Sequence, residues 1–542
     1  MPHSTAAMPS LGFQALILCG PGASLSTFTS NPDEFPKAIL PIANRPMIWY
    51  PLDWCYRTGI TDITLITPPT SAKAIEAALS QNPHLTSLPS PKPDLLAPEG
   101  LDQTSGTAEI LRLPQVQSAI TGDFIVLPCD LVCELAGESL VEAWMIKQAG
   151  LAGASGSTPT SRSRNIKFDA ESHGRRGGMG VYFETKGEGT TKREETDFLI
   201  TAPLGGNNRI SSQGSLLLDL QLLVYSTTKD SLEDIKEENK FFPLRHSLAE
   251  QHPRTKILTT YRDAHIYVFP YWVLEMIKKT PEMESISEDV VGWWVKAGWQ
   301  KGFAAKLGLN EVLRPRRTST SEDNIPTLES ELDLANLTST WIAGKATKAT
   351  TNSVQQTSVP PFLAYIQPRH PEAPLIRRVD TAQLLLYVSL KLAKLNSITD
   401  IGKQQASPLA HTRKIAYPAG VAPRTTINQA DCLLADNITV ETKSIIKESV
   451  IGANCHIKSG AKLTRCLLMD GAVVGERCEL TGCVIGRRAQ IGPSSILIDC
   501  QVQEGNVIPE ETDAKGQNFM VFEGLDVSDD GGDEAGFDME DI

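Results

Sequence analysis

Long apolar runs and paired cysteines are both missing from this sequence of 542 residues. No apolar stretch approaches the ~20 residues that a membrane-spanning helix needs, and the first residues lack the basic and apolar segments of a signal peptide. None of the ten cysteines forms a Cys-x-x-Cys pair, which argues against a zinc site or a disulfide framework. We therefore expect a cytosolic protein without membrane contact and without a bound metal.

Basic charge is also scarce. The net charge is −13, and the stretch from Glu523 to Ile542 holds nine acidic residues and no basic one, which leaves −4 for the rest of the chain. We find no basic patch of the kind that would indicate a nucleic-acid partner. We expect residues 521–542 to form a disordered acidic tail, which either keeps the protein soluble or contacts a basic partner.

Residues 12–312 alternate between strand-like and helix-like segments. Apolar and β-branched residues predict buried strands over 13–19, 63–67 and 124–127. Strands that alternate with helices are typical of a parallel sheet covered by helices. The sequence therefore predicts an α/β domain over 12–312, with an insertion rich in Ser, Arg and Gly at about 154–195.

A Ser/Thr-rich stretch over 313–360 predicts a linker with too little apolar content to pack. Beyond it, residues 361–430 form a predicted connecting segment with one helix. Asp380 or Thr381 is placed to cap the N-terminus of that helix, which carries leucines and a valine on one face.

A third pattern occupies residues 431–520, where apolar residues recur at six-residue intervals and glycine follows several of them. This period predicts a parallel β-helix with one inward apolar side chain per short strand; a β-sandwich is the alternative. Leu463 and Val474 lie eleven residues apart, so we expect one corner to be altered or shortened. The predicted core, which we expect to support an assembly surface, consists of Ile451, Ile457, Leu463, Val474, Leu480, Ile485 and Ile491.

The turn after the first predicted strand has the glycines of a phosphate-binding loop. Gly20 and Gly22 would let backbone N–H groups approach phosphate oxygens, although Pro21 removes one donor. Lys37 could neutralise a phosphate charge. The same residues also fit an ordinary strand-ending turn and a solvated lysine.

Two further positions could belong to the same site. Asp130 ends an apolar strand, where an open α/β sheet would place a metal-ligating carboxylate, or it is simply a capping residue. Gly106 and Thr107 could let the backbone approach a nucleotide base, or they begin a helix.

Together and in this order, these elements resemble the sugar-phosphate nucleotidyltransferases, which join a nucleoside triphosphate to a sugar phosphate. The resemblance implies a Rossmann-like N-terminal domain and a C-terminal left-handed β-helix of hexapeptide repeats. In active members it also implies magnesium held by aspartates, one at the position of Asp130. It further implies a triphosphate cradled by the Gly-rich loop and an arginine of that loop.

The sequence departs from this family at the most demanding positions. Leu25 stands where the loop arginine would contact the triphosphate, and a leucine cannot replace its charge-assisted hydrogen bonds. We therefore predict a degenerate nucleotidyltransferase without catalytic residues, cofactor or metal. The residues expected to form the remnant of the nucleotide pocket are Gly20, Gly22, Lys37, Gly106, Thr107 and Asp130.

Four segments resemble one non-catalytic branch of the family, the gamma subunits of eukaryotic translation initiation factor 2B. They are residues 43–52, 129–131, 263–267 and 362–366. The resemblance implies a hetero-oligomer with the epsilon subunit and the other subunits of this guanine-nucleotide exchange factor. It also implies contact with the GTPase that delivers initiator tRNA. The chain ends soon after the repeats, so we expect no further C-terminal exchange domain. An active enzyme, for example a mannose-1-phosphate guanylyltransferase, is the alternative.

Overall fold

The computed structural model describes most of the chain. The described ranges are residues 12–101, 104–154, 176–186, 194–204, 215–242, 244–313, 359–370 and 373–520. The predicted tail, almost all of the predicted linker and most of the predicted insertion lie outside these residues. Among the helices in the described ranges, none combines the length and apolar character required to cross a bilayer.

The N-terminal part is built on a nine-stranded mixed sheet. Its strand order is β5-β4-β1-β6-β11-β8-β12-β10-β9. The strands are β1 (Gln14–Leu18), β4 (Asp62–Ile66), β5 (Asp94–Leu96), β6 (Phe124–Pro128), β8 (Gly178–Glu184), β9 (Asp197–Ala202), β10 (Leu220–Thr228), β11 (Lys256–Phe269) and β12 (Phe362–Ile366). Strands β5, β4, β1 and β6 are mutually parallel, as the alternating pattern predicts. Two short pairs flank this sheet, namely β2 (Pro41–Ile42) with β3 (Arg45–Pro46) and β7 (Leu131–Cys133) with β13 (Ile376–Arg378).

Helices cover both faces of this sheet. They are α1 (Trp49–Thr58), α2 (Pro69–Gln81), α3 (Pro83–Thr86), α4 (Thr107–Arg112), α5 (Pro114–Ala119), α6 (Gly137–Ala154), α7 (Lys229–Asn239), α8 (His246–Gln251), α9 (Trp272–Lys279), α10 (Gly292–Trp299), α11 (Phe303–Lys306), α12 (Leu309–Val312), α13 (Ala382–Lys394) and α14 (Ile398–Ile401). Thr381 caps α13 by accepting a hydrogen bond from the Leu384 N–H. Because successive strand residues point to opposite faces, Ile17 joins the core beneath α1 and α13, whereas Leu16 joins the core beneath α4 and α9.

One strand of the sheet comes from far along the chain. Strand β12 lies between β8 and β10, although it follows them by more than 130 residues. Strand β11 pairs with β8 along one part and with β9 along another, which closes β8, β12, β10, β9 and β11 into a ring. A bulge in β11 between Asp263 and Tyr267 turns His265 out of the ladder with φ +53°.

The C-terminal part is a parallel β-helix of the left-handed hexapeptide type. One of its three parallel sheets comprises β14 (Thr426–Ile427), β17 (Ile445–Lys447), β20 (Lys462–Thr464), β23 (Glu479–Thr481), β26 (Ile496–Ile498) and β29 (Asp513–Lys515). The second comprises β15 (Leu433–Leu434), β18 (Val450–Ile451), β21 (Leu467–Leu468), β24 (Val484–Ile485), β27 (Gln501–Val502) and β30 (Asn518–Phe519). The third comprises β16 (Thr439–Val440), β19 (His456–Ile457), β22 (Val473–Val474), β25 (Gln490–Ile491) and β28 (Val507–Ile508).

Each coil of the β-helix has 17 residues, because one of its three sides is a residue shorter than the others. Leu463 and Leu468 are successive inward residues on the short side, and Val474 follows six residues later. The interval of eleven residues in the sequence is therefore a regular feature of each coil. The seven residues predicted for this core lie in it and are at most 3% exposed.

Glycine after the inward residue is required by the next coil. At Gly452 and Gly486 an added Cβ would lie 2.6–2.7 Å from atoms of the following coil, including its backbone nitrogens. Side chains at these corners would push neighbouring coils apart, so the glycines set the close stacking of the β-helix.

Apolar residues on the outside of the β-helix attach it to the N-terminal domain. Leu433, Val450, Leu467 and Val484 occupy the same outward position in successive coils, and all four join the core beneath α13. Polar contacts extend this interface. The Asn44 amide donates to the Ile451 carbonyl at 3.0 Å, the Gln503 amide donates to the Ser30 hydroxyl at 2.9 Å, and the Arg487 guanidinium lies 4.3 Å from the centre of the Phe35 ring. The two parts therefore share one apolar core.

Candidate functional site

The carboxyl ends of β1, β4 and β6 meet at one edge of the sheet and enclose a cavity of about 240 Å³. Ligands bind at this edge in open α/β sheets. Gly20, Lys37, Thr107 and Asp130 line the cavity, so the fold brings four of the six predicted pocket residues together. Its remaining wall is mainly apolar, with Leu18, Ile66, Leu101, Ile110, Val126 and Ile286 among its residues.

The other two predicted residues serve packing and do not line the cavity. Gly22 has φ +88°, and a Cβ there would lie 2.8 Å from the Lys37 Cβ. A Cβ at Gly106 would lie 2.3 Å from the carbonyl oxygen of Glu284, and the Gly106 N–H donates to the Glu109 carboxylate at the start of α4. Both glycines permit close backbone approach within the protein itself.

Asp130 is the centre of a buried ion-pair cluster. The Lys37 ammonium donates to its Oδ2 at 2.7 Å, and the Arg378 guanidinium lies 3.4 Å from its Oδ1. Burial raises the pKa of Asp130, but the charges of Lys37 and Arg378 outweigh burial and hold this pKa far below its usual range. Burial opposes the charge on Lys37, whereas the Asp130 carboxylate raises the pKa of this lysine above its usual value. One carboxylate therefore faces two cations.

This arrangement does not fit a magnesium ion. Among the described residues that line the first cavity, Asp130 is the only carboxylate, and both its oxygens already accept from cationic groups. Magnesium binds through carboxylates and water, and a cluster with a net charge of +1 repels a divalent cation. Nowhere in the described ranges do three or more His, Cys, Asp or Glu side chains come together as a metal site would need.

Leu25 is a core residue. It ends a single 3₁₀ turn (Ala23–Leu25) and is 2% exposed, packed in the same core as β1 and α1. The Thr29 hydroxyl holds the turn, since it lies 2.9 Å from the Gly22 carbonyl oxygen and 3.0 Å from that of Leu25. The loop after β1 is therefore fixed to the protein at Leu25, the position for which the sequence resemblance implies an arginine in active members.

A second cavity of about 190 Å³ adjoins the first, and His265 and Arg378 line both. The Arg378 Nη1 lies 3.2 Å from the His265 Nε2. Burial and the charge of Arg378 lower the pKa of His265, so the imidazole is neutral and accepts at Nε2. Burial also raises the pKa of Asp197 to about 6 and that of Asp263 to about 7. The second cavity thus combines hydroxyl groups with two carboxyl groups that resist ionisation.

Arg378 and the role of His265 were not predicted from the sequence. Arg378 reaches Asp130 because β13 pairs with β7, the strand that directly follows Asp130, and the Val379 N–H donates to the Asp130 carbonyl. Nothing local marks this arginine, since it lies in the predicted connecting segment 361–430, ahead of the predicted helix. For His265 a signal existed, because it stands within the segment 263–267 that carries the family resemblance.

Comparisons with known proteins bear on the two parts of the fold. The family model described as Nucleotidyl transferase matches residues 15–170, and the GMPPB C-terminal domain model matches residues 428–521. The gamma subunit of translation initiation factor eIF2B from Schizosaccharomyces pombe is 28% identical over 307 residues, which are 56% of this chain and 55% of that protein. The same subunit from Caenorhabditis elegans is 23% identical over 279 residues, which are 51% of this chain and 56% of that protein.

The chain spans about half the length of the curated relatives it matches. The matched ranges nevertheless agree with the two-part architecture, because the first lies in the sheet domain and the second coincides with the β-helix. This chain has a nucleotidyl transferase domain at its N-terminus and is similar to the gamma subunits of translation initiation factor eIF2B.

Proposed function

We propose that this protein is a non-catalytic subunit of the translation-initiation exchange factor. In this role it pairs with an epsilon subunit in the cytosol and promotes GDP/GTP exchange on the GTPase that delivers initiator tRNA. The observation that carries the proposal is the ion-pair cluster, in which Lys37 and Arg378 occupy both oxygens of Asp130. The similarity to eIF2B gamma subunits supports the choice of complex.

The physical case against nucleotidyl transfer has two parts. Transfer from a nucleoside triphosphate needs the charge that develops on phosphate oxygens to be stabilised by metal ions and positioned cations. At Asp130 the Lys37 ammonium and the Arg378 guanidinium stand where a metal ion would bind. At Leu25 the loop has a buried apolar side chain, which cannot stabilise charge on a phosphate oxygen. Loss of such stabilisation lowers a rate by two or more orders of magnitude for each missing group, as a rough guide.

Co-purification tests the proposed partnership. A tagged full-length chain expressed in its native cell should retain an epsilon-like subunit through purification, and the complex should accelerate release of a fluorescent GDP analogue from the GTPase. The same complex purified without this chain should exchange more slowly. A chain that purifies without any initiation-factor subunit would refute the partnership.

An active nucleotidyltransferase is the second candidate, and one observation favours it. The first cavity persists at the edge of the sheet where the related enzymes bind nucleotide, with Lys37 and Asp130 in its wall. Incubation of the purified chain with magnesium, GTP and mannose 1-phosphate distinguishes the two candidates. We expect no pyrophosphate above background. Robust release that Asp130→Ala abolishes would establish the enzyme and overturn the non-catalytic assignment.

A further inference from the structure

The cations of the first cavity have more hydrogen-bond donors than acceptors. The Lys37 ammonium has three N–H groups, and its one acceptor among the described residues is the Asp130 Oδ2. The Arg378 guanidinium has five N–H groups, and it meets three acceptors there, two on Asp130 and one on His265. Both side chains are at most 15% exposed. Because buried polar groups in native proteins are almost always hydrogen-bonded, the cluster can accommodate a further acceptor from the cavity.

The rest of the cavity suits an apolar group of limited size. Its apolar wall belongs to the core beneath α4 and α9 and includes Leu18, Ile66, Leu101, Ile110, Val126 and Ile286. The volume of about 240 Å³ is below the range of about 300–1,000 Å³ that is usual for small-molecule sites. The cavity therefore suits a carboxylate beside one aromatic or aliphatic side chain better than a whole nucleoside triphosphate.

The described chain ends beside a loop that contributes to this cavity. The Gln503 N–H donates to the Phe519 carbonyl at 2.9 Å, and the Gln503 side-chain amide donates to the Ser30 hydroxyl at 2.9 Å. Ser30 belongs to the loop that follows β1 and contributes Gly20 to the cavity wall. Residues 521–542 span up to ~70 Å when extended. The distal part of this segment can therefore reach the cavity.

We propose that the acidic segment 521–542 binds back into the first cavity of its own chain. In this arrangement the Phe537 ring lies against the apolar wall, and the Asp538 carboxylate accepts hydrogen bonds from Lys37 and Arg378. The bound segment closes the cavity to other ligands. This inference does not depend on the proposed role in translation, and its failure would leave that role untouched.

The composition of the segment favours this occupant. It holds nine acidic residues and two phenylalanines, and an acidic residue follows each phenylalanine. Phe522 lies two residues beyond the described chain, whereas Phe537 lies far enough along the segment to cross the loop after β1. An aromatic ring next to a carboxylate matches a cavity in which an apolar wall adjoins two cations.

Charge favours the same occupant. Lys37 and Arg378 carry two positive charges and Asp130 carries one negative charge, so the cluster has a net charge of +1. One carboxylate from the segment makes the cluster neutral. Opposite charges attract more strongly in a cavity of low dielectric constant than in water, so the carboxylate is held better inside the cavity than at an exposed lysine.

Fluorine NMR of the full-length chain tests the proposal. 4-Fluorophenylalanine is incorporated at position 537, and a gadolinium chelate in solution broadens the resonance of any fluorine that water reaches. We expect a resonance that the chelate leaves sharp at every protein concentration. Asp538→Asn should lower the ratio of bound to free segment about tenfold, because a hydrogen bond to a charged group is lost. Asp529→Asn removes the same charge from the segment and should change nothing.

Lys37→Met should release the label as Asp538→Asn does, and the variants within the segment keep the test valid if the Lys37 variant fails to fold. A wild-type resonance that the chelate broadens would overturn the proposal. Equal effects of Asp529→Asn and Asp538→Asn would do the same, because the contact would then depend on general charge alone. Protection that disappears on dilution would assign the segment to a second copy of the chain and would also overturn it.

Discussion

Replacing Asp130 with asparagine should destabilise the N-terminal domain strongly. The variant keeps the shape of the side chain but removes the carboxylate that contacts both the Lys37 ammonium and the Arg378 guanidinium. Their side chains are only 10% and 15% exposed. Removal of one partner from a buried ion pair costs about 3–5 kcal/mol, because the remaining charge stays desolvated. We expect a loss in that range, since the neutral imidazole of His265 compensates little.

Urea unfolding followed by tryptophan fluorescence is the suitable assay. Seven of the eight tryptophans lie between residues 49 and 299 and none lies in the β-helix, so their signal reports mainly on the N-terminal domain. Glu311→Gln is the control, because its ion pair with Lys279 has a similar distance of 2.8 Å but side chains that are 72% and 42% exposed. Exposed pairs contribute about 1 kcal/mol or less.

A double variant tests whether charge is the cause. Adding Lys37→Met to Asp130→Asn removes one unpaired cation and should recover about 1–3 kcal/mol. The pH dependence supplies a second check. Since the folded pKa of Asp130 is depressed, its contribution is present above the ordinary aspartate value of ~4 and is lost as the pH falls below it. A loss below about 1 kcal/mol for Asp130→Asn, or no recovery in the double variant, would refute the reasoning.

Three further predictions concern other parts of the molecule. Ile457→Asp places an unpaired charge in the β-helix core, so limited proteolysis should show its unfolding and a pull-down should show lost partner binding. Gln490→Asp, at an exposed outward position of the same sheet, should keep both the fold and the partner. A partner held at wild-type affinity by Ile457→Asp would contradict this. Gly486→Ala puts a methyl group 2.7 Å from the Glu504 backbone nitrogen in the next coil. Calorimetry should therefore show that the free energy of unfolding falls by about 1–3 kcal/mol. An unchanged Tm would count against this prediction. Burial raises the pKa of Asp263 to about 7, so the contribution of its protonated form to the free energy of unfolding is complete below ~4 and disappears as the pH rises through 7. Asp263→Asn should therefore flatten the dependence of the unfolding free energy on pH over this range. Identical pH profiles for the variant and the wild type would exclude the effect.

Local patterns were sufficient to predict three parallel strands of the sheet and the β-helix. The strands β1, β4 and β6 are short apolar runs that are buried on both faces, so they can be recognised without their neighbours. In the β-helix each coil repeats the same contacts. The six-residue spacing of its inward apolar residues is therefore sufficient to predict the stack of coils. The sequence shows the short side only as an interval of eleven residues between Leu463 and Val474, because no six-residue step marks Leu468 as an inward residue.

The sequence by itself determined the two-part architecture and the leucine at position 25 of the Gly-rich loop. The tertiary structure decided which cations surround Asp130, because Arg378 meets Asp130 across 248 residues of chain. That meeting depends on β12 entering the N-terminal sheet and on β13 pairing with β7. Spacing along a chain reports on neighbours within one element, whereas an ion pair between distant segments forms only when the whole sheet brings the segments together.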